Sequence, residues 1–395
     1  VKNNTLLSAC CGLEQMINNP DIIIDISGNP VPCHTDYAVR YSCTPILMEN
    51  EPGSYYPILN PRTYNGDLVI TKQAQIDTFF YTHINGSLTL RGGNIVNSKN
   101  LDRLNTVGNI TIYSTQLKAL SGFYNIIELN GYNHAAQTNY PIAEINITNN
   151  ASLKNIDSLF VGNTTTSGGC RLRIDNNNAM DKLIRTSYYP FTFISINKLQ
   201  KIECKNNASL KNITIDELQD IWIHNNNNLE TVFVPSADTF LFTNSTIQKI
   251  DIYAKYVDVK NSQIDSILLW PNEHADINFK NIPNLKYIST AWVDNIKNYK
   301  VSDCPSLSFV SKLRATNTNR IDSTFILDNT GLENLDFLSE FNGCHNLHII
   351  NNTKLASCCG LYNCFRVNGV NNVVEIRDNL FLQCDNITDI QEYVE

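Results

Sequence analysis

Twelve cysteines are the most chemically distinctive residues of this 395-residue chain. They fall into three groups of four: Cys10, Cys11, Cys33 and Cys43; Cys170, Cys204, Cys304 and Cys344; Cys358, Cys359, Cys364 and Cys384. This even division into groups predicts locally closed disulfides that cap the two ends. We expect bonds between one of Cys10/Cys11 and Cys33, one of Cys358/Cys359 and Cys384, and Cys170 and Cys204, although the sequence leaves the connectivity open.

A second set of residues could accept N-linked glycans, because each stands in the sequence Asn-x-Ser/Thr. These asparagines are Asn3, Asn85, Asn109, Asn146, Asn150, Asn163, Asn207, Asn212, Asn244, Asn351 and Asn386. Together with the cysteines they predict a secreted protein in an oxidising extracellular or cell-surface environment. Asn150 and Asn207 share the string Asn-Asn-Ala-Ser-Leu, so we expect their glycans along one edge of the fold.

The histidines predict neither catalysis nor metal binding. None of the seven stands in a recognisable nucleophile motif. Cys344, His345, His348 and Cys358 lack the C-x-x-C spacing of a zinc site, and oxidised cysteines do not bind metal. We therefore expect no metal ion, no cofactor and no enzymatic activity.

A repeated stretch in the middle of the chain predicts how these residues are positioned. The segment from Leu199 to Leu210 returns 19 residues later as Leu218 to Leu229. Its pattern of two apolar residues at alternate positions, followed by Asn, predicts a short strand that ends at a turn. One such unit cannot bury its own apolar side, so the repeat predicts a parallel β-solenoid in which neighbouring units stack.

The Asn or Asp at the end of the strand recurs along most of the chain and marks a predicted corner. The corners are Asn149, Asn176, Asn206, Asn225, Asn244, Asn261, Asn281, Asp303, Asn329, Asn351 and Asp378, at steps of 17 to 30 residues. A constant corner with a variable step places the insertions in outer loops. Asparagine suits a corner because it tolerates left-handed backbone and bonds nearby backbone groups.

One position per repeat, between the two inward residues of the strand, is predicted to face outward. This outward row is Glu128, Asn146, Arg173, Glu203, Trp222, Leu241, Asp258, Asn278, Lys300, Ile326, His348 and Glu375. No two neighbouring repeats place carboxylates there, although a solenoid carbohydrate enzyme needs such a pair. Trp222 and Leu241 are large apolar neighbours flanked by Glu203 and Asp258, which predicts a partner-binding patch unless a loop covers them.

Several of these segments resemble the receptor L domain, a leucine-rich-repeat-like β-solenoid of receptor ectodomains and of microbial and fungal surface proteins. Residues 66–70, 84–90 and 104–112 are similar to its first three coils, and Cys-Cys-Gly-Leu at 358–361 to the closing coil of bacterial members. The resemblance implies a right-handed parallel β-solenoid with disulfide-capped ends over about residues 65–390. It implies no particular ligand, and the repeats here outnumber those usual in the family.

The chain ends suggest a tandem array. Residues 7–13, Leu-Ser-Ala-Cys-Cys-Gly-Leu, closely match residues 355–361. We therefore predict that residues 1–43 are the closing coil of a preceding unit, and that residues 44–65 are a proline-rich linker. Residues 66–395 then form the solenoid with its cysteine-rich cap.

Charge and hydropathy restrict the partners. A net charge of −8 with scattered Lys and Arg argues against a nucleic-acid surface, and no apolar run is long enough to span a membrane. We predict a non-enzymatic, secreted, N-glycosylated structural or adhesive protein, a self-associating module of an extracellular fibre, sheath or cell-surface coat, with glycan contact also considered. The alternative is a receptor ectodomain that binds a peptide or glycan.

Overall fold

The computed structural model describes residues 62–379 except 124–125, 127, 130–141, 157–158, 160–164, 167–168, 186–198, 216–217, 271–274, 291–295, 313–323, 340–345 and 362–372. The chain divides into two units, Val1–Leu59 and Asn60–Glu395, and every described residue belongs to the second. The predicted closing coil at 1–43 lies outside the described residues, as does most of the predicted linker at 44–65.

The described part of the second unit is mostly β-strand, as predicted. The strands are β1 (Thr63–Tyr64), β2 (Leu68–Ile70), β3 (His83–Ile84), β4 (Leu88–Arg91), β5 (Thr106–Val107), β6 (Ile110–Tyr113), β7 (Glu128–Leu129), β8 (Ala143–Thr148), β9 (Thr165–Thr166), β10 (Cys170–Asp175), β11 (Lys182–Arg185), β12 (Leu199–Lys205), β13 (Asn212–Ile215), β14 (Asp220–His224), β15 (Thr231–Thr243), β16 (Thr246–Lys260), β17 (Gln263–Leu269), β18 (Ala275–Lys280), β19 (Tyr287–Thr290), β20 (Ile296–Cys304), β21 (Phe309–Val310), β22 (Thr324–Thr330), β23 (Asn346–Ile350) and β24 (Val373–Arg377).

The described strands pair in parallel, in three rows. The first row runs β2, β4, β6, β8, β10, β12, β14, β15, β16, β18, β20, β22, β23 and β24. The second row runs β11, β13, β15, β16, β17, β19 and β21, so the long strands β15 and β16 belong to both rows. A small sheet contains β1, β3, β5, β7 and β9. Many parallel strands paired in this order are compatible with the predicted solenoid.

Helical structure is brief in the described residues. The single α-helix, α1, spans Gln73–Asp77, and 3-10 turns span Lys99–Arg103, Asp336–Leu338 and Cys359–Leu361. The Gln75 side chain accepts hydrogen bonds from the backbone N–H groups of Thr71 and Lys72, which holds the start of α1. Ile76 on this helix is buried and ties the turn to the core.

The core is built by alternate residues of the first row. Ile221 and Ile223 of β14 are buried, and so are Phe240 and Phe242 of the next strand in the row. The two phenylalanine rings are stacked with their centroids 6.2 Å apart. Burying side chains of this size contributes about 1.5–3 kcal/mol each. The predicted inward alternation is therefore correct for these strands.

Ten of the eleven predicted corners adopt left-handed backbone, and the eleventh, Asn329, lies within β22. Asn149, Asn176, Asn206, Asn225, Asn244, Asn261, Asn281, Asp303, Asn351 and Asp378 have φ between 48° and 61°, and Ser114 has φ 53°. Non-glycine residues rarely adopt such angles, and Asn and Asp do so most readily. The chain turns at these residues from the first row toward the next segment.

The residue after many of these corners is buried and bonds the repeats together. Asn207 accepts a hydrogen bond on Oδ1 from the backbone N–H of Asn177 (3.0 Å), and its Nδ2 donates to the carbonyls of Ile174 (3.2 Å) and Lys205 (2.9 Å). The equivalent buried residues, which we call the buried ladder, are Thr115, Asn150, Asn177, Asn207, Asn226, Ser245, Ser262, Thr330, Asn352 and Asn379. The ladder satisfies backbone groups that the turns would otherwise leave without partners inside the protein.

Candidate interaction surface

The predicted patch forms on the outward side of the first row. Trp222 pairs in register with Glu203 on one side and Leu241 on the other, and Leu241 pairs with Asp258. Side chains opposite each other on adjacent strands have Cβ atoms about 5 Å apart. The structure therefore brings the four predicted residues together in the predicted order.

The register of the outward row is correct from Asn146 to Glu375, although Asp258 within it is buried, and is wrong at Glu128. Asn146, Arg173 and Glu203 lie side by side in the first row. Glu128 lies instead in β7 of the small sheet, beside Thr106, and Thr111 takes the place next to Asn146. The short strand β7 has the same alternating pattern as the strands of the first row, but within its repeat it comes before the first-row strand, β8. The alternating pattern alone does not distinguish these two positions.

Trp222 is 37% exposed, whereas Glu203 and Leu241 are half-buried. Lys201 covers one side of the indole, with its Nζ 2.9 Å from the ring centroid and 3.9 Å from Glu203 Oε2. Burial lowers the pKa of Lys201, and the neighbouring Glu203 carboxylate opposes that change. A cation held over an indole is favourable, so Lys201 is part of the patch. No covering loop is seen among the residues that the structure describes.

Asp258 lies at the edge of the patch, and its carboxylate is already hydrogen-bonded within the protein. It is buried, its Oδ2 accepts a hydrogen bond from Lys260 Nζ (2.7 Å), and its Oδ1 accepts one from Asn278 Nδ2 (2.8 Å). These contacts neutralise and orient the carboxylate, so it supports the patch rather than offering a free charge. We call Lys201, Glu203, Trp222, Leu241 and Asp258 the Trp222 patch.

A second exposed aromatic group, absent from the sequence prediction, lies on the second row. Phe233, Trp270, Tyr287 and Phe309 are between 41% and 52% exposed, and we call them the aromatic strip. Tyr287 and Phe309 are paired in register with ring centroids 6.4 Å apart. Trp270 donates its Nε1–H to Asp251 Oδ1 (3.0 Å), and Asp251 is paired with Phe233. The alternating string Thr231-Val232-Phe233-Val234 was the available signal, but the prediction considered only strands that precede a corner.

The outward row ends in a polar group at Glu375. His348 Nδ1 lies 3.0 Å from Glu375 Oε2, and Arg377 Nε donates to Glu375 Oε1 at 2.8 Å. Hydrogen bonds from Arg377 and His348 lower the pKa of the Glu375 carboxyl group. All three side chains are solvent-accessible, and this arrangement is a surface charge cluster.

The structure contradicts the predicted disulfide between Cys170 and Cys204. Neither sulfur is in a disulfide, and register places Cys204 beside Ile174, four residues along β10 from Cys170. Four residues of strand span about 13 Å, whereas a disulfide requires Cα atoms within about 7 Å. Cys204 and Cys304 are buried thiols, and burial raises the pKa of each to about 12.

At the C-terminal pair of cysteines, Cys358 is disulfide-bonded, whereas Cys359 is an exposed thiol outside any disulfide. Cys10, Cys11, Cys33, Cys43, Cys344, Cys364 and Cys384 lie outside the described residues. The predicted disulfide caps therefore remain predictions.

The glycosylation sequences fall into distinct environments. Asn150 and Asn207 belong to the buried ladder, which conflicts with the predicted glycans on both residues because the amide nitrogen that would carry the sugar is buried and bonded. Asn85, Asn244 and Asn351 are exposed, and Asn109, Asn146 and Asn212 are half-buried. Asn3, Asn163 and Asn386 lie outside the described residues.

The described ranges hold neither a cluster of metal ligands nor a membrane-spanning helix. No group of three or more His, Cys, Asp or Glu side chains in the described part of the chain could hold a metal ion. No helix in those ranges is long and apolar enough to cross a membrane.

Comparisons with known proteins add no further assignment. No protein-family model, curated protein or solved structure matched the chain. The resemblance to receptor L domains consequently stays a prediction based on residues 66–112 and 358–361.

Proposed function

We propose that this chain is a non-enzymatic, secreted and N-glycosylated module of an extracellular fibre, sheath or cell-surface coat. Its architecture is a right-handed parallel β-solenoid of the receptor L kind with disulfide-capped ends. The parallel rows, the left-handed corners and the buried ladder support this architecture. The observation that carries the function is the pairing of Trp222 with Leu241 on the outward side of the first row.

The Trp222 patch suits association between copies of the chain. Exposed tryptophan beside an aliphatic residue is typical of interface hot spots, whose truncation costs about 2 kcal/mol or more. Lys201 and Glu203 supply both signs of charge beside the indole. In a two-fold interface the same patch meets itself, so Lys201 of one copy can face Glu203 of the other. The opposite charges of Lys201 and Glu203 thus allow the patch to pair with itself without like-charge repulsion. This pairing closes at a dimer, so a fibre also needs the end-to-end joining of tandem units.

Sedimentation of the full chain tests this proposal. We expect the wild-type protein to associate as concentration rises, and the W222S/L241S variant to need at least about tenfold more protein for the same association. Tyr113→Ser is the matched control, since Tyr113 is 45% exposed on β6, outside the patch. A chain that stays monomeric, or a double variant that associates like wild type, would contradict the proposal.

The aromatic strip favours a second candidate, a ligand-binding ectodomain. Its aromatic side chains could stack on apolar parts of a peptide or glycan, with Phe233 and Trp270 beside the Asp251 carboxylate and Tyr287 paired with Phe309. We expect binding to glycan or peptide arrays to fall in the Y287A/F309A variant and to persist in W222S/L241S. Equal binding by both variants would remove the strip as the ligand site.

A further inference from the structure

The amides of the corner asparagines are linked between neighbouring repeats, and Asn244 stands apart from these links. The linked amides have nitrogen-to-oxygen distances of 2.9–3.0 Å, from Asn176 to Asn149, from Asn225 to Asn206, and from Asn281 to Asn261. Asn244 lies between the corners Asn225 and Asn261, with φ 48°. Its side chain is exposed and makes no hydrogen bond with any residue that the structure describes.

Asn244 also has no part in the buried ladder. The next residue, Ser245, takes that role: its hydroxyl accepts a hydrogen bond from the backbone N–H of Asn226 (3.0 Å) and donates to the Thr243 carbonyl (2.9 Å). Thr246, the hydroxyl residue of the glycosylation sequence, begins β16. The amide of Asn244 therefore carries no structural hydrogen bond that a modification would remove.

Asn207 stands in the opposite situation, although its sequence Asn-Ala-Ser also meets the Asn-x-Ser/Thr requirement. Both hydrogens of its Nδ2 are directed at the carbonyls of Ile174 and Lys205, and the side chain is fully buried. A sugar on this nitrogen would replace one donor and would have to occupy the packed interior. Asn150 has the same arrangement, with Nδ2 donating to the carbonyls of Ile112 and Thr148.

We propose that Asn244 is an N-glycosylation site and that Asn150 and Asn207 remain unmodified in the folded protein. This inference rests on the proposed secretion, because the reaction needs an oligosaccharide carried on a lipid diphosphate as donor. The Asn244 nitrogen forms a bond to C1 of the oligosaccharide and loses one proton. The bond between C1 and the diphosphate oxygen breaks, and the lipid diphosphate leaves with the electron pair.

Site-resolved mass spectrometry tests the proposed selectivity. The full chain is produced behind a secretion signal in eukaryotic cells, and its glycans are released by peptide N-glycosidase in ¹⁸O-labelled water, which converts each occupied Asn into labelled Asp. We expect label at Asn244 and none at Asn150 or Asn207 in the secreted protein. Unlabelled Asn244, or label at either ladder residue, would overturn the proposal. If the chain is retained in the cell, the same measurement is made on the retained protein that resists limited proteolysis, because the proposal concerns the folded protein.

Two variants control for sequence context without changing either asparagine. Thr246→Ala removes the acceptor sequence at Asn244 and should lower the mass of the secreted chain by one glycan. Ser209→Ala removes the acceptor sequence at Asn207, and Ser209 is exposed, so this variant should leave the glycan mass unchanged. Protein from the natural source that lacks all N-glycans would contradict the proposed glycosylation in that source. The selectivity for Asn244 over Asn150 and Asn207 is tested independently, by the labelling experiment in eukaryotic cells.

Discussion

At the scale of single residues, neighbouring asparagines perform two different tasks. Asn206 adopts φ 54° and turns the chain, whereas Asn207 is buried and bonds to the preceding repeat. The sequence predicted the corner because its position after two alternating apolar residues is regular. It assigned both tasks to one residue, because side-chain direction after the turn depends on backbone angles that composition does not reveal.

Replacing Asn207 by alanine should destabilise the fold by about 2–4 kcal/mol, because it leaves the Asn177 N–H and two buried carbonyls without their partner. Chemical denaturation of the full chain measures this loss. Asn244→Gly is the matched control: Asn244 also has left-handed backbone and makes no side-chain hydrogen bond with any described residue, so we expect a loss below about 1 kcal/mol. Equal losses in the two variants would show that the ladder bonds contribute little.

The thiols of Cys204 and Cys304 should resist alkylation in the native protein. Their raised pKa, about 12, means that almost no thiolate exists near neutral pH, and both side chains are buried. The exposed thiol of Cys359 serves as the internal control and should react. Iodoacetamide labelling followed by mass spectrometry should modify Cys204 and Cys304 only after unfolding. Native labelling of either residue would show that the core around it opens readily.

At the scale of the strands, the corners determine how much could be predicted. A corner fixes the register of the strand before it, so Glu203, Trp222 and Leu241 could be aligned from the sequence alone. The strand after a corner begins at a variable distance, and β15 and β16 extend through both rows. For that reason the aromatic strip, at Tyr287 and Phe309 for example, was missed.

The return segments also depend on close backbone contact between repeats. A Cβ atom on Gly122 would lie 1.8 Å from the Ser98 carbonyl oxygen, while one on Gly93 would meet its nearest neighbour at 3.8 Å. Gly122→Ala should therefore destabilise the chain by about 2–4 kcal/mol, because backbone must shift to admit the methyl group. Gly93→Ala, the control, should change stability by less than about 1 kcal/mol. Thermal unfolding compares the two, and a tolerated Gly122→Ala would contradict the close packing of these segments.

At the scale of the second unit, each repeat bonds mainly to its neighbours, and the rows continue from β2 to β24. Stacked repeats of this kind place outward side chains on a continuous, ordered surface. Such a surface presents the Trp222 patch and the aromatic strip without further folding. The net charge of −8 argues against a nucleic-acid surface, but neither composition nor spacing specifies which exposed apolar group meets a partner.

The proposed structural role is tested most directly by negative-stain imaging of protein isolated from its source without reductant. The account predicts fibres or ordered assemblies with a regular repeat, together with their loss in recombinant W222S/L241S chain prepared beside wild type. Separate monomers of the native protein at every concentration would contradict the role and would shift attention to the aromatic strip as a ligand site.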